Sequence, residues 1–84
     1  MRFTHENQGT CSTHVGFEID DEGIIRDVQF YGGCHGNLQG IATLVRGMKA
    51  SEVADKLQNI RCGYKNTSCP DQLARALREA LAAM

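Results

Sequence analysis

The chain has 84 residues, with nine Lys and Arg against ten Asp and Glu, four cysteines and no tryptophan. That length makes one domain, 1–84, with a thin core. Size scaling gives burial of roughly 60 to 65% of the unfolded surface and a net stability of about 4 to 13 kcal/mol, so a staple or a partner subunit matters. A net charge of −1 with scattered cations leaves no electrostatic footprint for nucleic acid or a membrane surface. The opening MRFTHENQGT lacks the apolar core of a signal peptide, and no stretch approaches the roughly 20 apolar residues of a membrane span, so a cytoplasmic location is expected. Thiols there are kept reduced, which favours metal ligation, redox chemistry or plain burial over a disulfide framework.

In chain order, RFTH reads as a short strand and ENQGTCST as a loop or bulge carrying Cys11. Residues 14 to 31 read as a hairpin: Val15, Phe17 and Ile19 alternate with polar or small neighbours, DDEG supplies the turn, and Val28 and Phe30 resume the alternation. Arg26 interrupts that alternation. After Gly36 the period becomes helical, with Leu38, Ile41, Leu44, Val45 and Met48 on one face and Asn37 as the expected cap. Ser51 is the expected cap of a second helix, striped by Val53, Leu57 and Ile60. The third start signal is the strongest. Ser68 can accept from the amide of Asp71, Asp71 can answer as a short capping box, and Pro70 sits in the first turn, where its missing N–H costs nothing. Leu73, Leu77, Ala80, Leu81 and Met84 then form the apolar stripe. The expected fold is α+β, a small antiparallel β-meander of two or three strands followed by three helices.

Cys34 just precedes the first helix and Cys69 lies in the first turn of the third. Unpaired amides and a partial positive charge at such helix mouths favour the thiolate. Cys62 is on a Gly-containing loop that can fold back toward Cys69, and Cys11 is also on a loop. Tetrahedral zinc needs four convergent deprotonated donors, and loop or helix-mouth cysteines can converge without sacrificing packing. The favoured metal set is therefore Cys11, Cys34, Cys62 and Cys69, with His14 or His35 as a substitute ligand. Two other uses stay open: a redox pair of Cys62 with Cys69, and burial of one or two cysteines as small hydrophobes.

The turn GGCHGN supports a second reading. A strand, a Gly-rich turn and a helix present amides that can cradle the phosphate of a nucleotide or flavin through Gly32, Gly33, Gly36 and Asn37, with Phe30 or Tyr31 to stack on a ring. The same glycines can simply permit positive φ at a sharp turn, and the turn lacks the lysine and hydroxyl of a P-loop. A cluster of thiolates there would repel a phosphate unless a metal neutralised it. No catalytic constellation stands out: Asp20, Asp21 and Glu22 form a solvated turn, and Ser68, a possible partner for His14 or His35, already has a capping role. A third class is a homodimeric interaction module, since a thin core leaves apolar surface and strand edges to cover.

At TSCPD, residues 67 to 71, the chain resembles the TSCPD domain family, and looks like its small stand-alone bacterial members. The similarity also runs through GGCHGNLQGI, LVRGM and GYKNTSCPDQLARAL, and so covers nearly the whole chain. A related domain occurs at the C-terminus of some ribonucleotide reductases, notably cobalamin-dependent ones, where the likeness lies in the SCPD helix start and the preceding IRC. Cys62 and Cys69 thus fall in the shared pattern, and Cys11 and Cys34 in the stand-alone type. The resemblance implies cysteine-based metal binding in an accessory or ligand-binding module. It does not imply a reductase, whose barrel, thiol set and radical source 84 residues cannot house.

Overall fold

The alternation at the start of the chain is realised as strands in the computed structural model, which describes residues 1–10, 12–33 and 35–84 and, of His35, the backbone alone. Strands β1 (Arg2–Glu6), β2 (Ser12–Ile19) and β3 (Ile25–Gly32) form an antiparallel sheet in the order β1-β2-β3. Helices α1 (His35–Val45), α2 (Ala50–Leu57) and α3 (Cys69–Ala83) follow, so the fold is α+β, as expected.

Period-two alternation gives the sheet two unlike faces. Val15, Phe17 and Ile19 of β2 and Ile25 and Val28 of β3 point to one face and are buried there, with Phe3 stacked on Phe17 at 5.5 Å between ring centroids. The helices cover this face: α1 packs on β3, α2 packs on α3, and Leu73 and Leu77 of α3 complete the core. The other face is polar, with Arg2, Glu18 and Asp27 in register and the Arg2 guanidinium 3.0 Å from the Asp27 carboxylate.

The hairpin turn is organised by one carboxylate. Asp20 Oδ1 accepts from the N–H groups of Glu22 and Ile24, and Oδ2 accepts from Arg26. The Ile24 N–H has the largest effect on this carboxyl, and together with the Arg26 guanidinium and the Glu22 N–H it outweighs desolvation and holds Asp20 below the usual carboxylate range. Gly23 supplies the left-handed φ of +81° that closes the turn. The interruption at Arg26 has a structural cause: Glu18 pairs with Asp27 and Ile19 with Ile25, so Arg26 is the extra residue of a bulge.

Two helix starts differ from expectation. Asn37 is the third residue of α1 rather than its cap. Helix α2 begins at Ala50, not after Ser51, and its N-cap Lys49 makes no side-chain capping bond. The hairpin turn takes over that role, with Gly23 C=O accepting from the Ala50 N–H at 2.8 Å and Lys49 bridging Ile24. The apolar stripes also narrow. On α1 Leu38, Ala42 and Val45 are buried and Ile41 packs against the core at partial burial, whereas Leu44 is 77% exposed. Ile60 lies beyond the end of α2 and Met84 caps α3, both outside the core. Among the described residues no helix is long and apolar enough to cross a membrane.

Leu44 and Leu77 therefore predict opposite outcomes although both sit in apolar helical patterns. Leu77→Ala should cost about 2 to 5 kcal/mol by leaving a cavity in the core, and Leu44→Gln less than about 0.5 kcal/mol. Urea unfolding of the two variants beside the parent checks the difference.

Candidate functional site

The pentapeptide at the start of α3 is mostly a structural latch. Ser68 is the N-cap: its Oγ accepts from the Asp71 N–H at 3.2 Å and donates to the Ile60 C=O at 2.6 Å. Pro70 occupies the first turn, where no N–H is needed. Asp71 does not return a bond to its cap. Its buried carboxylate accepts instead from the Asn59 N–H at 2.7 Å, from the Thr67 hydroxyl and from Arg75 at 3.1 Å. Burial works to push this carboxyl up, but the Thr67 and Asn59 hydrogen bonds and the Arg75 charge together outweigh it and hold Asp71 below the usual carboxylate range.

The latch is tied to the sheet by a chain of donors running toward Asp71. His5 Nε2 and the Gln8 N–H both donate to Gln72 Oε1, at 3.2 and 3.1 Å. The fully buried Gln72 donates through Nε2 to Thr67 Oγ1 at 3.0 Å, and Thr67 donates to Asp71. Every polar atom of the Gln72 and Asp71 side chains is thereby used, as burial demands. Gln72 was not among the expected core residues. Its one visible signal is its position four residues before Ala76 and eight before Ala80, on the same buried face of α3.

Cys69, the thiol of the pentapeptide, is the first residue of α3. It is buried, and its Sγ lies 2.9 Å from the Ser12 hydroxyl, which also accepts from Asn7 Nδ2 at 2.7 Å. The Oδ1 of the same Asn7 side chain is buried and accepts no hydrogen bond among the described residues. Cys62 is an exposed free thiol. It sits in a tight turn in which the Lys65 N–H donates to the Cys62 C=O at 3.0 Å and the Cys62 N–H to the Thr67 C=O at 3.2 Å, with Gly63 at φ +59°.

Both cysteines line one cavity of about 470 Å3. Its apolar wall is Leu38 and Ile41 of α1 with Ile60 and Pro70, and Thr10 and Asn37 contribute polar edges. Of the expected metal ligands, the structure thus brings Cys62 and Cys69 to one cavity, while Cys11 and Cys34 lie outside the described residues. Among the described residues no three His, Cys, Asp or Glu side chains group to hold a metal ion. His14 is on the open face of the sheet, bonded to Thr13 Oγ1 and edge-on to Tyr31, and does not line the cavity; the side chain of His35 is outside the described set.

The Gly-rich turn divides in the same way. Gly32 and Gly33 adopt φ of +77° and +79°, so these two meet a backbone need. Gly36 is in the first turn of α1, and among the described residues neither a close approach nor a positive φ requires it. Of these four turn residues, Asn37 lines the cavity. Phe30 is packed against the core and Tyr31 faces outward, so they point to opposite sides of the sheet.

With this geometry in place, comparison with known proteins gives one match: the sequence pattern of the TSCPD domain fits residues 1–81. No curated protein and no solved structure matches the chain.

The lowered pKa of Asp71 has a definite acid consequence. Its contribution to stability is fully present above the unfolded value near about pH 3.9 and is lost as pH falls through the lower folded value. Asp71→Asn should therefore unfold more readily than the parent at neutral pH, and the gap between them should shrink as pH falls from about 7 to about 2.5. Urea midpoints measured across that range check this; a constant gap would contradict it.

Proposed function

Because the chain belongs to the TSCPD domain family, we propose that it is a small metal-binding accessory module, related by domain to ribonucleotide reductases, in which Cys11, Cys34, Cys62 and Cys69 hold a zinc-like ion. The observation that carries this reading is the meeting of Cys62 and Cys69 at one cavity with Thr10 and Asn37. Thr10 immediately precedes Cys11 in the chain, and Asn37 follows Cys34 by three positions.

The chemistry of the described donors fits such an ion. Thiolates are the preferred donors of structural zinc. The Ser12 hydroxyl beside Cys69 can donate to a thiolate, the outer-shell contact that orients a sulfur ligand. The turn around Cys62 and the capped start of α3 fix the backbone at both sulfurs without drawing on the hydrophobic core. A bound zinc supplies charge neutralisation and a cross-link between loops. In a chain of this size that cross-link adds directly to folding stability.

Metal analysis of the purified protein is the test, with Cys69→Ser and Cys62→Ser beside the parent. The parent should carry close to one zinc per chain and no visible colour. Each variant should lose metal affinity by more than the roughly 10- to 100-fold typical of an outer-shell change, and should lose thermal stability with it. Alkylation should spare the cysteines until a chelator is added, then reach them together. Full metal content in Cys69→Ser, or rapid labelling of untreated Cys69 followed by a Cys62–Cys69 disulfide on mild oxidation, would replace the metal reading with a redox pair.

A further inference from the structure

The cavity beside the thiols has a second chemical character. Two of its lining residues, Arg61 and Lys65, are cations, and among the described residues no carboxylate lines it. Elsewhere the arginines are matched: Arg2, Arg26, Arg46, Arg75 and Arg78 each lie within ion-pair distance of an aspartate. Among the described residues Arg61 and Lys65 have no such partner. They flank Cys62 on a segment held at both ends by side-chain-to-backbone bonds, the Asn59 N–H to Asp71 and the Ser68 hydroxyl to the Ile60 C=O, and closed within by the Cys62–Lys65 and Cys62–Thr67 backbone bonds. The positions from which the two cations project are thus set before any ligand arrives, which lowers the ordering cost of binding.

Facing them is the apolar wall of Leu38, Ile41, Ile60 and Pro70. At about 470 Å3 the cavity falls in the range of small-molecule clefts, roughly 300 to 1,000 Å3. An apolar wall beside unmatched positive charge is complementary to one ligand class. We propose that this cavity binds a small amphiphilic organic anion, its apolar body against Leu38, Ile41 and Ile60 and its carboxylate or phosphate head at Arg61 and Lys65. This site does not use the Gly32–Asn37 amides as its anion cradle, and it does not require the metal.

The test is a titration with octanoate, octyl phosphate, 1-octanol and inorganic phosphate, read by methyl and amide NMR shifts. Octanoate or octyl phosphate should bind saturably, shift the Leu38, Ile41 and Ile60 methyls, and bind more tightly than either octanol or inorganic phosphate; the tighter of the two identifies the head group. Arg61→Gln with Lys65→Gln should weaken that binding about three- to tenfold, as expected for partly exposed charges. Raising salt from about 0.02 to about 0.5 M should do the same, leaving octanol unaffected. Equal binding of octanol, or binding indifferent to the double variant, would overturn the proposal.

Repeating the titration after chelation separates this site from the metal. Binding that persists without metal but needs Arg61 and Lys65 supports the proposal whatever the fate of the zinc reading. Binding that vanishes with the metal and ignores both cations overturns it and assigns the anion to the ion. Zinc content lowered in the double variant, without an effect on octanoate affinity, would reassign Arg61 and Lys65 as counter-charges of the thiolates and also overturn it.

Discussion

One buried carboxylate organises the functional half of this molecule. A charge in the interior is tolerated only when its oxygens are fully engaged, and Asp71 meets that demand by gathering the Asn59 N–H, the Thr67 hydroxyl and the Arg75 guanidinium. Each donor comes from a different place in the chain: the exit of α2, the loop before α3, and the next turn of α3 itself. Satisfying the carboxylate therefore closes the segment 59–67 over the start of α3, and that closure brings Cys62 to the same cavity as Cys69. The pull extends into the sheet through Thr67 and Gln72 to His5 and the Gln8 backbone.

The five residues of the signature then separate by role. Thr67 and Asp71 form the latch, Ser68 caps the helix and secures Ile60, and Pro70 opens the first turn and lends an apolar surface to the cavity. Cys69 is the buried thiol beside Ser12, and with Ser68 and Pro70 it lines the cavity. A signature whose residues largely build a helix start explains why a match across nearly the whole chain identifies a family more readily than it identifies a reaction.

How much of this was legible in the sequence depended on whether a local or a tertiary cause decided the outcome. The strands, the turn at Asp20 and the Ser68 cap follow from alternation, turn chemistry and capping, all of which act within a few residues, and they were read correctly except at the strand ends, where Glu6, Ser12 and Thr13, expected in a loop, belong to β1 and β2. The start of α2 was misplaced because the hairpin backbone, distant in sequence, captures the Ala50 N–H and makes a Ser51 cap unnecessary. Leu44 was assigned to the buried stripe because periodicity does not reveal that Ala42 and Val45 carry the inward face of α1, with Ile41 at its edge and Leu44 outside it. Asp71 was given a local answer, a capping box, whereas its real partners include an amide twelve residues away. At the site, the thiols and Asn37 could be picked out by residue type, but the cavity itself and the unmatched Arg61 and Lys65 exist only once the loop is closed.

Two thiols held at a shared cavity by a fixed latch are the central element of the account, and their meeting on one ion is its most exposed claim. Zinc K-edge X-ray absorption on the zinc-loaded protein tests it directly. A first shell of sulfur at about 2.3 Å, close to four scatterers, is the predicted result. A shell made only of nitrogen and oxygen at about 2.0 to 2.2 Å would contradict it.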